Sequence, residues 1–429
     1  MRLRRSWHRT TTRMAWRRCL KGGCPRERGR RCARTGCIRP GGSLSRAARR
    51  PVHMSSPMPN APSSAPIRLG NSVTIEVPVL LAPMAGVTDG VFRSLCREAG
   101  AGYATTEFAR DEALLRGVRQ QVDLTDLRLD ARPVGVQIFG ANPDVMRRAA
   151  GWVMATAAPD VLDINMGCPA PKVTNGQGGS SLLRDPDRAE AIVRAVVAEV
   201  SPAPTTVKIR VGWDDAHRDA GIAVEVARRA VDAGAQMITV HGRTRQQRYE
   251  GVACWDTIAA VAAAVPVPVI GNGDVQTPAD VVHRLRTSGC AGVAIGRGAR
   301  GRPWLFGQIA AALRGDPVPP DPELPARLAL GLDHVRRQVA FEIACLEDDP
   351  ANARKARATI EGLADGRALG HLLPHVMWYV WGAPGANEAR RVLSKARTAV
   401  ELADILADYA AHPEAYHRRD DARVVPARA

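Results

Sequence analysis

The chain has 429 residues, a formal net charge of +17 and only 4% aromatic residues. The excess charge is local: residues 1–53 hold 17 Lys and Arg against one acid, Glu27, so the remainder is close to neutral. A uniformly basic coat for nucleic acid is thereby excluded, and so is the broad aromatic platform that general single-strand binders use.

Residues 1–66 read as a disordered basic leader, rich in Arg, Gly and Cys and ending in the Pro/Ser stretch "SSPMPNAPSSAP". Its composition fits a start assigned too early in a GC-rich gene, with Met54 or Met58 as first residue. It also fits an organelle-targeting peptide or an arm that binds RNA by counterion release. Cys19, Cys24, Cys32 and Cys37 lack a CxxC pair, so no zinc module is assigned. Cys96, Cys168, Cys254, Cys290 and Cys345 are scattered, which points to a reducing compartment. No apolar run approaches the roughly 18 residues that a membrane span needs. A cytoplasmic, soluble monomer is expected.

From residue 77 onward, short apolar runs alternate with longer helical patterns. The runs are 77–84, 102–108, 132–140, 159–167, 205–210, 235–243, 267–274 and 291–298. Segments such as "DPDRAEAIVRAVVAEV" (185–200) and "IAVEVARRAVDAG" (222–234) carry helical spacing between them. Strand then helix, repeated eight times, predicts an α/β fold of the (β/α)8 TIM-barrel type over residues 73–317. A doubly wound open sheet is the alternative, weakened because no GxGxxG opens a helix after the first strand.

Each run ends in Gly with a functional side chain, and in a barrel those ends share one mouth. The clusters are Pro83-Met84-Ala85, Thr106-Glu107, Gln137, Asn165 with Cys168, Lys208 with Arg210, His241 with Arg243, Asn272-Gly273-Asp274, and Gly296-Arg297. The Gly-rich ends of the last two runs suit a phosphate-bearing ligand. Lys208 and His241, on neighbouring runs, suit an anionic ring such as reduced flavin. No HExxH, nucleophile elbow or metal-spaced cluster follows residue 53, so no metal site is assigned.

The motifs "LAPMAGVTD", "VQIFG", "DINMGCPAPKV", "VKIRVGW", "TVHGRTRQQRYEG", "VIGNGDV" and "IGRGARGRPWLF" together resemble the bacterial tRNA-dihydrouridine synthases, in particular the branch that reads NMGCP. The resemblance covers roughly residues 73–310, with a weaker echo beyond. It implies FMN at the barrel mouth, NADPH as reductant and uridine in transfer RNA as substrate. On it, Pro83, Met84 and Ala85 lie against the flavin, and Gln137 and Lys208 bond its pyrimidine edge. His241 sits beside the ring, while Asn272, Gly273, Asp274, Gly296 and Arg297 hold the ribityl chain and phosphate. Cys168 is the implied acid. A thiol with an ordinary pKa near 8.5 is mostly protonated at neutral pH and can give a proton to carbon 5 of uracil. Asn165 is expected to bond the flipped-out base. Arg243, with Arg245 and Arg248, is expected to contact substrate.

Residues 318–420 read as a separate helical domain that docks transfer RNA, with Arg336, Arg337, Arg390, Arg391, Lys395 and Arg397 as candidate phosphate contacts. The family commonly has a basic pair before His-x-x-Trp-Tyr, where this chain has Leu373 and Pro374. An added stretch over 352–372 precedes it, so the modified uridine is not inherited from relatives. Two other readings stand beside this one: a flavin barrel acting on free pyrimidines, and a non-catalytic RNA-binding barrel.

Overall fold

The computed structural model describes residues 65–417. The leader expected over 1–66, with its four cysteines, lies outside the described residues apart from its last two positions.

Eight parallel strands close on themselves. They are β1 (Val79–Leu81), β2 (Tyr103–Thr105), β3 (Val134–Phe139), β4 (Val161–Met166), β5 (Thr205–Arg210), β6 (Met237–His241), β7 (Val269–Asn272) and β8 (Gly292–Ile295). Each pairs with the next in chain order, and β8 returns to β1 through Val293↔Val79 and Ile295↔Leu81. All eight predicted runs contain a barrel strand. Val, Ile, Leu or Ala recurs in every strand because both faces of a parallel barrel sheet are covered, and polar residues such as Gln137, Asp163, Asn165 and Lys208 interrupt the apolar runs.

The outer helices are α1 (Gly90–Glu98), α2 (Asp111–Leu115), α3 (Pro143–Thr156), α4 (Pro186–Val200), α5 (Ile222–Asp232), α6 (Trp255–Ala264), α7 (Pro278–Ser288) and α8 (Leu305–Arg314). Their starts are chemically marked. Asp89, Asn142 and Asp185 each accept a backbone N–H of the helix they open, and Thr277 with Asp280 forms a reciprocal capping box. α2 has only five residues and follows a two-residue extended pair, Ala109–Arg110, that hydrogen-bonds to β3.

A hairpin of two three-residue strands, Ile67–Leu69 and Val73–Ile75, precedes β1. Ile67, Leu69, Val73 and Ile75 pack with Leu80, Tyr103, Val161, Met237 and Ile270, sealing one end of the barrel. The hairpin begins ahead of residue 73, where the barrel segment was expected to start. Inside, Gly135 is required by a close approach: a Cβ there would lie 2.0 Å from the Tyr103 hydroxyl.

Beyond α8 come α9 (Leu324–Glu347), α10 (Arg357–Tyr379), α11 (Ala386–Leu393), α12 (Ala399–Ala411) and α13 (Pro413–His417). Leu328, Val335, Leu372, Val376, Leu402, Leu406 and Tyr409 form their own apolar cluster. Barrel and helices nevertheless belong to one compact unit. Asp89 at the start of α1 faces His375 of α10, with Oδ2 3.5 Å from Nε2. The Trp378 side chain lies 2.5 Å from where a Gly301 Cβ would stand, a position with φ +67. Pro374 stands inside α10, which continues to Tyr379. Among the described residues, no helix is long and apolar enough to cross a membrane.

Candidate active site

The site is built from alternate residues of the barrel strands, because side chains two apart in a strand share one face. Asp163 and Asn165 of β4, and Thr206 and Lys208 of β5, follow this parity. Register sets them side by side: Gln137 opposite Asp163, Asn165 opposite Lys208, and Arg210, His241 and Asn272 in one row.

The innermost layer is a closed hydrogen-bond network. Gln137, fully buried, donates to Asp163 Oδ2 at 2.5 Å and accepts from Asn165 Nδ2 at 2.8 Å. Thr206 donates its hydroxyl to the other oxygen of Asp163. Burial raises the Asp163 pKa against those two hydrogen bonds. Asn165 Oδ1 in turn accepts the backbone N–H of Gly167 (3.1 Å) and of Cys168 (2.9 Å), so one strand-end amide shapes the loop that carries the thiol. The Cys168 carbonyl accepts from the Ser180 hydroxyl at 2.9 Å, fixing the loop from its far side.

Cys168 is 9% exposed, and burial raises its pKa above the ordinary thiol value, partly offset by the Ala170 N–H and by Arg210. The sulfur is held as a neutral S–H. Arg210 reaches across the loop to the Gly167 carbonyl at 2.7 Å and to the carbonyls of Thr244 and Arg248, both at 2.9 Å. It ties together the loops after β4 and β6, and burial lowers its pKa to about 10. Lys208 makes a single long contact, 3.4 Å to Asn272 Oδ1. Burial, reinforced by Arg210, brings its pKa down to about 8. His241 is pushed well below its ordinary value by burial and by Arg210 and Lys208, so its imidazole is neutral.

Opposite Cys168, the β1 loop is folded on itself. Met84 N–H donates to Thr88 Oγ1 at 3.0 Å, and Gly86 N–H donates to Glu107 Oε2 at 2.7 Å. Burial, then the Asp89 charge, raises Glu107 to about 7 against that backbone bond. This leaves Pro83, Met84 and Ala85 partly or fully exposed at the rim.

The last two strand ends are shaped by glycine. Gly273 has φ +130, and a Cβ there would meet Ala253 Cβ at 2.7 Å. Above Gly296 only Met84 Sδ comes within 4 Å of a Cβ position, at 3.7 Å. Gly273 is thus required by its own backbone and by Ala253, while Gly296 leaves room for a ligand to approach the backbone. Asp274 accepts from Arg243 (2.7 and 2.8 Å) and from Ala253 N–H (2.7 Å). Those partners outweigh burial and hold its carboxyl below the ordinary range.

All the side chains assigned from the sequence therefore belong to one mouth, in three kinds of environment. Cys168, Lys208, His241, Asn272, Gly296 and Arg297 border its floor and rim. Gln137 and Asn165 form the network beneath. Arg243 is 2% exposed and engaged by Asp274 and by the carbonyls of Glu250 and Gly251, so it braces the loop after β6.

Sequence reasoning placed Arg210 with Lys208 at the mouth without a role and did not assign Asp163 or Thr206, although the alternation in "VLDINM" and "TTVKIR" marks those two as sharing faces with Asn165 and Lys208. It also assigned no metal site. Asp89, His334 and His375 do converge, with ligand-type atoms within 4.8 Å of one another, at the junction of α1, α9 and α10. His334 bonds Tyr379 Oη at 3.1 Å, and burial lowers its pKa to about 3.

Fold and site define a (β/α)8 barrel enzyme with a buried thiol, a neutral imidazole and weakly paired cations at the C-terminal mouth. Residues 80–415 match the model of the dihydrouridine synthase (Dus) family. The chain is 38% identical over 336 residues to tRNA-dihydrouridine synthase B of Xanthomonas campestris, covering 78% of this chain and 93% of that protein. It is 39% identical to the same-named protein of Pseudomonas putida, over 76% of this chain and 88% of that one. Against a probable tRNA-dihydrouridine synthase of Rhodobacter capsulatus the identity is 45%, over 60% and 77% respectively. The chain belongs to the dihydrouridine synthase family, and the match runs through the C-terminal helices that the sequence motifs reached only weakly.

Proposed function

We propose that this protein reduces a uridine in transfer RNA to 5,6-dihydrouridine, with FMN as bound cofactor, NADPH as reductant and Cys168 as proton donor. The observation that carries the reading is Cys168 itself, a thiol with a raised pKa, fixed by Asn165, Ser180 and Arg210 at the mouth of a family-matched barrel.

The residues present fit a flavin. Pro83, Met84 and Ala85 offer a folded, exposed loop for the ring. Gln137 has one amide hydrogen beyond the bond to Asp163, and Lys208 has an ammonium with a single long contact, so both can donate to a polar ring edge. The neutral His241 lies beside them. Asn272, Gly273 and Asp274 with Gly296 and Arg297 supply the approachable backbone and the cation for a ribityl phosphate. The flavin, when bound, supplies the hydride that goes to carbon 6 of the uracil.

The chain's own part is the other half of the addition. The Cys168 S–H gives its proton to carbon 5, and the resulting thiolate is stabilised by Arg210, Lys172 and Lys208, the cations that oppose burial at this sulfur. Solvent then restores the thiol. Asn165 and Arg243 act through the loops they hold, and a remaining Asn165 amide hydrogen is available to a base drawn out of its stack. Residues 318–420 dock the body of the RNA.

The test is incubation of purified protein with NADPH and unmodified transfer RNA, followed by nuclease digestion and mass spectrometry. A yellow protein that forms dihydrouridine at a mapped position supports the reading. A yellow protein that forms none, yet reduces free pyrimidines, overturns it.

A further inference from the structure

We propose that Arg184, Trp213 and Arg245 form a clamp for the RNA phosphodiester next to the uridine being reduced. This rests on the transfer-RNA reading above and names the contact by which that site grips its substrate. The Arg184 guanidinium lies 4.9 Å from the centroid of the Trp213 ring and that of Arg245 4.4 Å from it. The three side chains come from the loops after β4, β5 and β6, consecutive around the rim.

Those loops are joined to the thiol. Arg245 N–H donates to Gly212 O at 2.9 Å and Gln246 N–H to Trp213 O at 3.0 Å, locking the β5 and β6 loops together. Arg184 ends the turn Gly179–Arg184, whose second residue, Ser180, bonds the Cys168 carbonyl. Arg210 connects the Cys168 loop to the β6 loop. The clamp is therefore rigidly placed on the side of the mouth from which the base is protonated.

Charge marks the ligand. Among the described residues, neither Arg184 nor Arg245 forms an ion pair, and the buried Nε of Arg245 has no partner. Arginines a few positions away on the same rim do have acids: Arg188 with Asp185 at 3.1 Å and Arg218 with Asp215 at 2.8 Å. Two guanidiniums held over one indole, and left without carboxylates, keep their N–H edges for an outside anion. Phosphate fits that fork bidentately, and guanidiniums already held by the ring lose less freedom on binding. A base drawn into the mouth brings its own backbone over this rim, so the phosphodiester is the anion on hand. The reductant also carries phosphates, and the test separates the two sources.

The experiment compares wild type with R184Q, R245Q, the double variant and the double Lys variant. It measures kcat/KM for transfer RNA across a salt series and, separately, anaerobic flavin reduction by NADPH. The double Gln variant is expected to lose about 10-fold or more in kcat/KM, mainly through KM. The salt slope should fall by roughly 0.7, the value for one single-strand phosphate left unneutralised. The Lys variant should recover most of the slope and less of the affinity, and NADPH reduction should stay within about twofold. An unchanged slope in an active enzyme overturns the clamp. A raised KM for NADPH with an unchanged KM for RNA assigns the pair to the reductant and overturns it equally. A wild type that forms no dihydrouridine fails at the earlier step, the transfer-RNA reading, and removes the clamp with it. The single R184Q variant, altered at an exposed side chain, guards against loss of fold.

Discussion

On the C-terminal helices, Arg337 is engaged by Glu98 and Asp333, Arg391 by Glu388, and Arg357 by Glu347 and Glu361. At the barrel mouth Arg243 and Arg297 share Asp274, but Lys208, Arg210, Arg184 and Arg245 have no ion-pair partner among the described residues; their contacts are carbonyls, an amide or an indole ring. These helical arginines are thus neutralised within the protein, while those four mouth cations keep positive charge available and partly desolvated. A cation count cannot tell these regions apart, yet only the second kind acts strongly on an incoming anion or a developing thiolate. Two helical arginines resemble the mouth: Arg390 lies 4.5 Å from the ring centroid of Trp381, which is 61% exposed, and Arg327 bonds the carbonyls of Tyr379 and Trp381 beside the Trp304 ring.

The largest expected effect belongs to the thiol. Cys168→Ala should retain flavin and lower dihydrouridine formation by about 100-fold or more, the scale of a lost general acid. Equal turnover in the variant would remove Cys168 from the chemistry.

Next is acid sensitivity at the junction of barrel and helices. His334 has its pKa lowered from 6.5 to about 3, so the unfolded chain takes up its proton first. The stabilisation is therefore full above pH 6.5 and is lost as pH falls toward 3, by an amount on the order of 5 kcal/mol. Denaturation midpoints of His334→Leu should show a flatter pH dependence in that window than wild type. The opposite slope is expected of Glu107, raised from 4.5 to about 7: its contribution is full below 4.5 and declines as pH rises to 7. Glu107→Gln should be the more stable form near pH 7, as read by thermal melts.

Gly273→Ala places a Cβ at φ +130 against Ala253. A cost of about 1–3 kcal/mol and weakened flavin retention are expected, measured by melting and by flavin fluorescence after gel filtration. The smallest effect sharpens the contrast of the two regions. Arg337→Gln should leave kcat/KM and its salt slope within about twofold of wild type and cost under about 1 kcal/mol, because its pairs are surface ion pairs. A salt slope that drops in Arg337→Gln would show that the helical arginines exchange their acids for phosphate.

The barrel was legible because its strands are buried on both faces and read as short apolar runs between helices with marked starts. The mouth was legible wherever a polar residue interrupts such a run at its end, as at Lys208, His241 and Asn272. Asp163 and Arg210 carried the same signal through their parity with Asn165 and Lys208. The hairpin at 67–75 was signalled by Ile-x-Leu and Val-x-Ile flanking Gly70-Asn71, but it directly follows the leader's Pro/Ser composition. Asp89, His334 and His375 had no legible signal, since partners separated by 245 and 41 residues meet only through the packing of α9 and α10 on the barrel. The same holds for Arg184, Trp213 and Arg245, brought together by three loops.

The most direct measurement reduces the protein with NADPH in the absence of oxygen, removes excess reductant, and follows the return of oxidised-flavin absorbance on adding substrate. Unmodified transfer RNA should reoxidise the flavin in step with dihydrouridine formation, and free uridine should not. Reoxidation by free uridine at the same rate, or none by transfer RNA, would contradict the account.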